Sequence, residues 1–422
     1  MRKGRVVIVS DYVGGESAAS GGAGHAVYDS YRALRDAGVD VRIVAGFGAP
    51  PGGAEDRFSA LGGSDLRSGG ALDTVRMIYH RDAKRALAAE LDGEDPDSTI
   101  VILHQWTRYL SPAALGLLDR FQTMIYMHDH FWACPNGAYY DFQEARPCDR
   151  QPAGLRCVAA NCDRQGRAAK AGRLLRHVAR TLTVRASPDR RLCLHLSTGA
   201  MRTAAPLLPG ERHAIVHNTL AVPDAPPPPA LRPHYDVGYF GRLQPEKGVA
   251  ELIDVAGNVG LIGLFAGEGT LEPQLAQYAT LEHRRWAPRA EMAAAMRSCA
   301  VVVLPSLWHE TWGLIVPEAM AAGVKVLVSI RAGSAELVQR FGGGATFDPG
   351  VPGDLARALL AMQAEPAPEL DDWTEFQAVL SSQRHAASIV DLAAEKFGID
   401  LQPSVKPVRR SVPPPLPVKL RA

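Results

Sequence analysis

Short runs of consecutive apolar residues alternate along this chain with longer segments whose apolar positions recur every three or four residues. Residues 6–9 form the first such run. Residues 25–37 then place Val27, Tyr31 and Leu34 on one helical face with Gly38 behind it, and 39–45 is the next run. Further runs at 99–103, 124–128, 235–240, 259–266, 301–305 and 324–329 predict strands buried on both faces. Strand and helix in alternation predict parallel sheets covered by helices, the doubly wound α/β class.

The pattern breaks at 221–233, AVPDAPPPPALRP, because proline lacks an amide donor and fixes its own torsion. It resumes at Tyr235. The chain therefore divides into a first βα domain at 1–220, a linker at 221–233 and a second βα domain at 234–370. Helical spacing without strands follows at 371–400. Residues 401–422 are rich in proline and basic residues and hold no acid, which predicts a disordered tail. At 422 residues the chain exceeds what one hydrophobic core usually reaches, so two domains with a cleft between them are expected.

Composition narrows the function classes. A formal net charge of +1 excludes a general nucleic-acid binder, so any basic patch is local. No apolar run approaches the roughly 18 residues of a membrane span, and 6–9 is too short for a signal-peptide core, so a cytoplasmic location is expected. There the six cysteines would stay reduced. Cys134, Cys148, Cys157 and Cys162 crowd the loop 134–162, where they read as a tetrahedral zinc site, as free thiols or as a disulfide. Their spacing holds no C-x-x-C pair.

Two stretches carry candidate chemistry. HETWGLIVPEAMAAG, 309–323, sits between a strand and the next strand, with Glu310 in the loop and Glu318 early in a helix. Open α/β sheets bind ligands at this edge, and helix N-termini favour anions. Amides near Gly313, Leu314 and Ile315 suit a diphosphate, while carboxylates accept hydrogen bonds from hydroxyls; a phosphorylated sugar needs both. VGYFGRLQPEKGVAELIDV, 237–255, places Arg242 and Lys247 beyond another strand's end, a fork and a point charge for phosphate oxygens. The plainer alternatives are a solvated loop acid, a helix-end charge and surface cations.

Together these residues resemble the donor half of the retaining, nucleotide-sugar-dependent glycosyltransferases of the GT-B fold, family 4. The glutamate pair with AMAAGVKVLVS is the specific part. GRLQPEKG, the early GGAGHAVYDSYRALRDAGVDV, HDHFWACP, VHNTL and AGEGTLEPQL support it. The resemblance implies two Rossmann-like domains facing across a cleft, with Arg242 and Lys247 on the donor diphosphate, Glu310 on sugar hydroxyls and Glu318 on the ribose. It also implies that His128 faces the sugar, that Gly22 and Gly24 approach the diphosphate from the first domain, and that 371–400 returns to that domain. Thr311 and Trp312 depart from the glycine and phenylalanine commoner in the family, which leaves the sugar open.

His128 ends an apolar run and has a structural reading as well; with His130 it suggests a metal site only weakly. The glycines lack G-x-G-x-x-G spacing, which argues against a dinucleotide site. Residues 163–191 are strongly basic, with Leu174, Leu175, Val178 and Leu182 at helical spacing. That segment reads either as a basic amphipathic helix resting on anionic lipid headgroups or as a solvated face over a core helix. The expected activity is transfer of a hexose from a nucleoside-diphosphate sugar to a glycan or lipid-linked acceptor with retention, in polysaccharide synthesis, peripheral at the inner membrane face. No cofactor and no catalytic metal are expected, since no paired aspartate motif occurs. A nucleotide-sugar epimerase and a non-catalytic scaffold are the alternatives.

Overall fold

A computed structural model describes residues 2–14, 21–50, 55–184, 188–228, 233–285, 289–364 and 370–402. In chain order, β1 (Arg2–Lys3) precedes β2 (Arg5–Val13), α1 (Gly21–Asp36), β3 (Val41–Gly48), β4 (Phe58–Ala60), α2 (Ala71–Ile78), α3 (Arg81–Glu90), β5 (Thr99–Leu103), α4 (Ser111–Leu118) and β6 (Gln122–Tyr126). A small hairpin of β7 (Tyr140–Asp141) and β8 (Arg146–Pro147) follows, then α5 (Leu155–Ala159), α6 (Arg167–Thr183), β9 (Arg191–His195), α7 (Thr198–Ala204) and β10 (Arg212–Ile215). These build a seven-stranded parallel sheet in the order β10-β9-β6-β5-β2-β3-β4.

The second half runs β11 (Tyr235–Phe240), α8 (Val249–Val259), β12 (Gly263–Ala266), α9 (Glu272–Leu275), β13 (Leu281–Arg284), α10 (Arg289–Arg297), β14 (Cys299–Leu304), α11 (Ile315–Ala321), β15 (Lys325–Ser329), α12 (Ala335–Phe341), β16 (Gly344–Phe347) and α13 (Asp354–Ala364). Its six parallel strands lie in the order β13-β12-β11-β14-β15-β16. Finally α14 (Trp373–Leu380), α15 (Ser382–Phe397) and β17 (Ile399–Asp400) return to the first domain. There α15 packs on α1, and β17 pairs parallel with β1.

Helices on both faces explain why β2, β5, β14 and β15 read as unbroken apolar runs. Within the two large sheets, the strands that the apolar pattern misses are β4, β9, β10, β13 and β16. All but β9 lie at or form sheet edges, where one side lacks a neighbour and polar residues are tolerated. Strand β9 is buried, but its short core Leu192–Leu194 directly follows the basic segment 163–191, whose last residue, Arg191, opens the strand. The run at 124–128 ends as strand at Tyr126, so His128 lies in the loop beyond it. One apolar cluster joins Val6, Ile8 and Val27 through Phe376 and Ile389 to Met320 and Val326, tying the domains together.

Two expectations need correction. Leu401 is buried against the first domain rather than part of a tail, and 403–422, like 229–232 of the linker, lie outside the described residues. Of the two readings of the basic segment, helix α6 does not fit the one that puts a solvated basic face over an apolar core. Lys170 and Arg176 are buried, whereas Leu175, Val178 and Leu182 are exposed. The inward arginines stack on aromatic faces: Arg176 over Phe131 at 4.6 Å and Arg180 over Trp132 at 5.0 Å. A guanidinium sheds water more easily than an ammonium and gains from a ring face, which lets the basic side go inward.

Candidate active site

In each sheet the strand order reverses beside one strand, and loops leaving the carboxyl ends there open a crevice. In the second sheet the reversal falls between β11 and β14. The turn after β11 ends at Gly248, with φ of +72°, where a Cβ would stand 1.8 Å from the carbonyl oxygen of Pro305. Only glycine lets this turn close on the end of β14. The approach carries Lys247 to Glu310, Nζ to Oε1 2.7 Å. Ser306 donates to the other oxygen of Glu310 at 2.5 Å, and the ring of Trp308 lies 4.9 Å from the ammonium.

The backbone of Glu310 is pinned as well: its amide donates to Arg331 O at 3.1 Å and its carbonyl accepts from Gly333 N at 2.9 Å. Burial pushes the Glu310 carboxyl up, but the charge and hydrogen bond of Lys247, with that of Ser306, outweigh it and hold it below its usual value. Arg242 is half-exposed beside the buried carboxylate of Glu246, at 3.7 Å. Glu246 also pairs with Arg164, which reaches across from the first domain.

Gly313, with φ of +98°, turns the chain into α11; a Cβ there would meet Leu304 Cδ2 at 2.6 Å. Leu314 and Ile315 open that helix, and Glu318 lies one turn in, half-buried. The first amides of a helix have no intrahelical partner, whereas further in Val316 N already donates to Gly313 O at 3.2 Å and Glu318 N to Leu314 O at 3.1 Å.

The first domain faces this loop. Its own reversal falls between β2 and β5; Gly22 and Gly24 lie in the first turn of α1, the helix after β2, and His104 in the loop after β5. Gly22 approaches Leu314 so closely that a Cβ would sit 2.9 Å from its Cδ1. Gly24 lies against Tyr12, a Cβ there being 2.7 Å from the ring. His128 Nε2 and His104 Nδ1 are 2.8 Å apart, and both rings stack with Tyr126. Burial, then the neighbouring His385, lowers His128 to about 4, so it is neutral at physiological pH. Thr311 donates to the His128 carbonyl at 2.9 Å, and Ser197 donates to Thr311 O at 3.0 Å. His130 Nε2 meets His309 O at 3.1 Å, which gives that imidazole a hydrogen bond to the facing loop.

The sequence reading missed Ser306, Glu246, Arg164 and His104. His104 follows an apolar strand just as His128 does, and that position was its signal. The other three act only through contacts between distant loops.

The cysteine loop is held differently from a four-thiolate site. Lys170 Nζ lies 3.0 Å from Cys162 Sγ and 3.4 Å from Cys157 Sγ, while Cys134 Sγ meets Asn136 Oδ1 at 3.1 Å. All six cysteines are free thiols. Among the described residues no group of three or more His, Cys, Asp or Glu is arranged to hold a metal ion.

Residues 234–365 match the family described as Glycosyl transferases group 1. Along nearly its whole length the chain superposes on sucrose-phosphate synthase from Thermosynechococcus elongatus, with a TM-score of 0.66 at 18% identity over 93% of this chain and 99% of that one. The fold is GT-B. Other GT-B structures agree. HepE from Anabaena in complex with UDP-glucose gives a TM-score of 0.54 at 16% identity, covering 94% of this chain and 96% of that chain. The catalytic domain of starch synthase IV from Arabidopsis thaliana, bound to ADP and acarbose, gives 0.57 at 15% identity, covering 94% of this chain and 100% of that chain. No curated protein sequence matches the chain. The family match falls on the second GT-B domain, and the Lys247–Glu310 pair lies within the matched residues.

Proposed function

We propose that this protein is a retaining glycosyltransferase that transfers a hexose from a nucleoside-diphosphate sugar to a hydroxyl of a glycan or lipid-linked acceptor. We further propose that it works in the cytoplasm on polysaccharide or glycan-precursor synthesis. The observation that carries this reading is the contact between Lys247 and Glu310 at the strand reversal of the second domain. A cation suited to a diphosphate and a carboxylate suited to sugar hydroxyls meet at one point, beside the opening turn of α11. The group 1 match over 234–365 supports it, as do UDP-glucose in HepE and ADP in starch synthase IV.

In this reading the donor diphosphate takes over Lys247 from Glu310 and gains Arg242 and the amides of Gly313, Leu314 and Ile315. The released Glu310 carboxylate then accepts hydrogen bonds from the sugar. Glu318 takes the ribose hydroxyls, and Gly22 and Gly24 let the first domain close over the phosphates. Neutral His128 donates to or accepts from a sugar hydroxyl without adding a charge next to the developing positive anomeric carbon. The rate gain comes from fixed positive groups aimed at the departing diphosphate in a closed, dry cleft.

Incubation with a panel of uridine, guanosine and adenosine diphosphate sugars, followed by product mass and NMR, tests the reading. Nucleoside diphosphate release with a retained anomeric configuration is expected. Lys247→Ala should lower kcat about 10²- to 10³-fold, the usual loss when one preorganised donor is removed. A rearranged free sugar without acceptor would identify an epimerase. Release from no donor would leave a scaffold.

A further inference from the structure

The reversed helix α6 turns a regular apolar stripe to the outside. Ala168, Ala171, Leu175, Val178 and Leu182 recur at alternating spacings of three and four and are all exposed. An ordinary surface helix shows the opposite pattern. Beside it packs α2, which buries none of its residues and exposes Leu72 and Val75, with Tyr79 just beyond its end. Leu72 is 64% exposed, Leu175 58% and Leu182 62%, so the face is uncovered rather than merely grazed by water. Large apolar side chains exposed together on two helices that pack side by side mark an interaction site.

The charge around the face identifies its occupant. Tyr79, Arg81, Lys84, Arg85 and Ala88 line an open concavity of about 560 Å³ adjoining α2. Within α6 no acid is present, and Arg167 lies exposed at its start. The acids nearby are matched: Asp73 pairs with Arg76 at 2.9 Å and Asp82 with Arg85 at 3.5 Å. Apolar side chains framed by surplus cations suit a layer that offers acyl chains behind negative headgroups. A second copy of this chain would bring the same cations against its own. Among the described residues no helix is long and apolar enough to cross a membrane, so contact lies in the interfacial plane.

We infer that the α2–α6 face docks the first domain on an anionic lipid bilayer, with Leu72, Val75, Leu175, Val178 and Leu182 entering the headgroup boundary and Arg81 and Lys84 binding lipid phosphates. The inference is independent of the transfer reaction, because vesicle binding is measured without any donor. Co-sedimentation of the full chain with vesicles of phosphatidylcholine alone, and of phosphatidylcholine mixed with phosphatidylglycerol, tests it. Binding to the mixed vesicles alone is expected, weakening as salt rises. Leu175→Glu/Leu182→Glu and Arg81→Glu/Lys84→Glu should each weaken it about tenfold or more, with unfolding temperatures unchanged because these side chains face water. Absence of binding to the anionic vesicles, or binding that neither pair alters, would overturn the inference. So would light scattering that shows a dimer dissolved by Leu175→Glu, which would make the face a self-contact.

Discussion

Lys247 and Glu310 hold each other in a partly buried ion pair, and neither has water enough to stand alone. Removing one partner from such a pair strands the other in a poor solvent, which usually costs more than the pair itself contributes. Lys247→Ala should therefore lower stability by about 2–3 kcal/mol in urea unfolding, below the range for fully buried pairs because both groups keep some exposure. The pair also sets a pH dependence. The Glu310 carboxyl lies below its usual 4.5, so the stability it lends is present above that value and is lost as pH falls through its folded value. Lys247→Ala should flatten that acid limb. In the transfer reaction proposed above, a diphosphate displaces Glu310 from Lys247 before the carboxylate is free for a sugar.

The histidines of α15 and the β6 loop form one buried group. His385 is held by Ser30 Oγ at 3.0 Å, by His217 O at 3.0 Å and against the Tyr126 ring. Burial is the main cause that lowers His385 to about 4, though the His217 carbonyl opposes it. Its folded value is depressed, so its contribution is complete above pH 6.5 and is lost as pH falls from there towards about 4. Thermal unfolding followed between those values should show a falling midpoint, and His385→Asn should make the fall shallower. Helix α6 teaches a different lesson. Its helical spacing was legible in Leu174, Leu175, Val178 and Leu182, but its orientation was not. Periodicity shows that two faces differ; which one turns inward depends on what the rest of the domain presents, here Phe131, Trp106 and Trp132.

The two sheets are joined by more than the linker. Thr198 N donates to Glu336 at 2.9 Å, His217 stacks on Trp312, and α15 fills the space beside α1 with fully buried Ile389. Ile389→Ala should cost about 2–5 kcal/mol, read as a lower midpoint in denaturant unfolding, because the void left in a close-packed cluster cannot collapse. That cluster runs through both domains, so the loss should appear in one transition rather than in the first domain alone. The two-domain α/β plan was legible because buried parallel strands write themselves as apolar runs and the prolines at 221–233 interrupt them. The edge strands were not, because an unpaired side tolerates polar residues.

Local order sufficed for the central strands and for placing Arg242, Lys247, Glu310 and His128 just past strand ends. Each follows from neighbours along the chain, through periodicity and allowed torsions. The 2.7 Å contact of Lys247 with Glu310, the bridge from Arg164 to Glu246, and the outward apolar face of α6 follow from packing between segments far apart in sequence. Such contacts depend on which burial leaves the fewest charges unpaired across the whole molecule, and no window of residues contains that comparison.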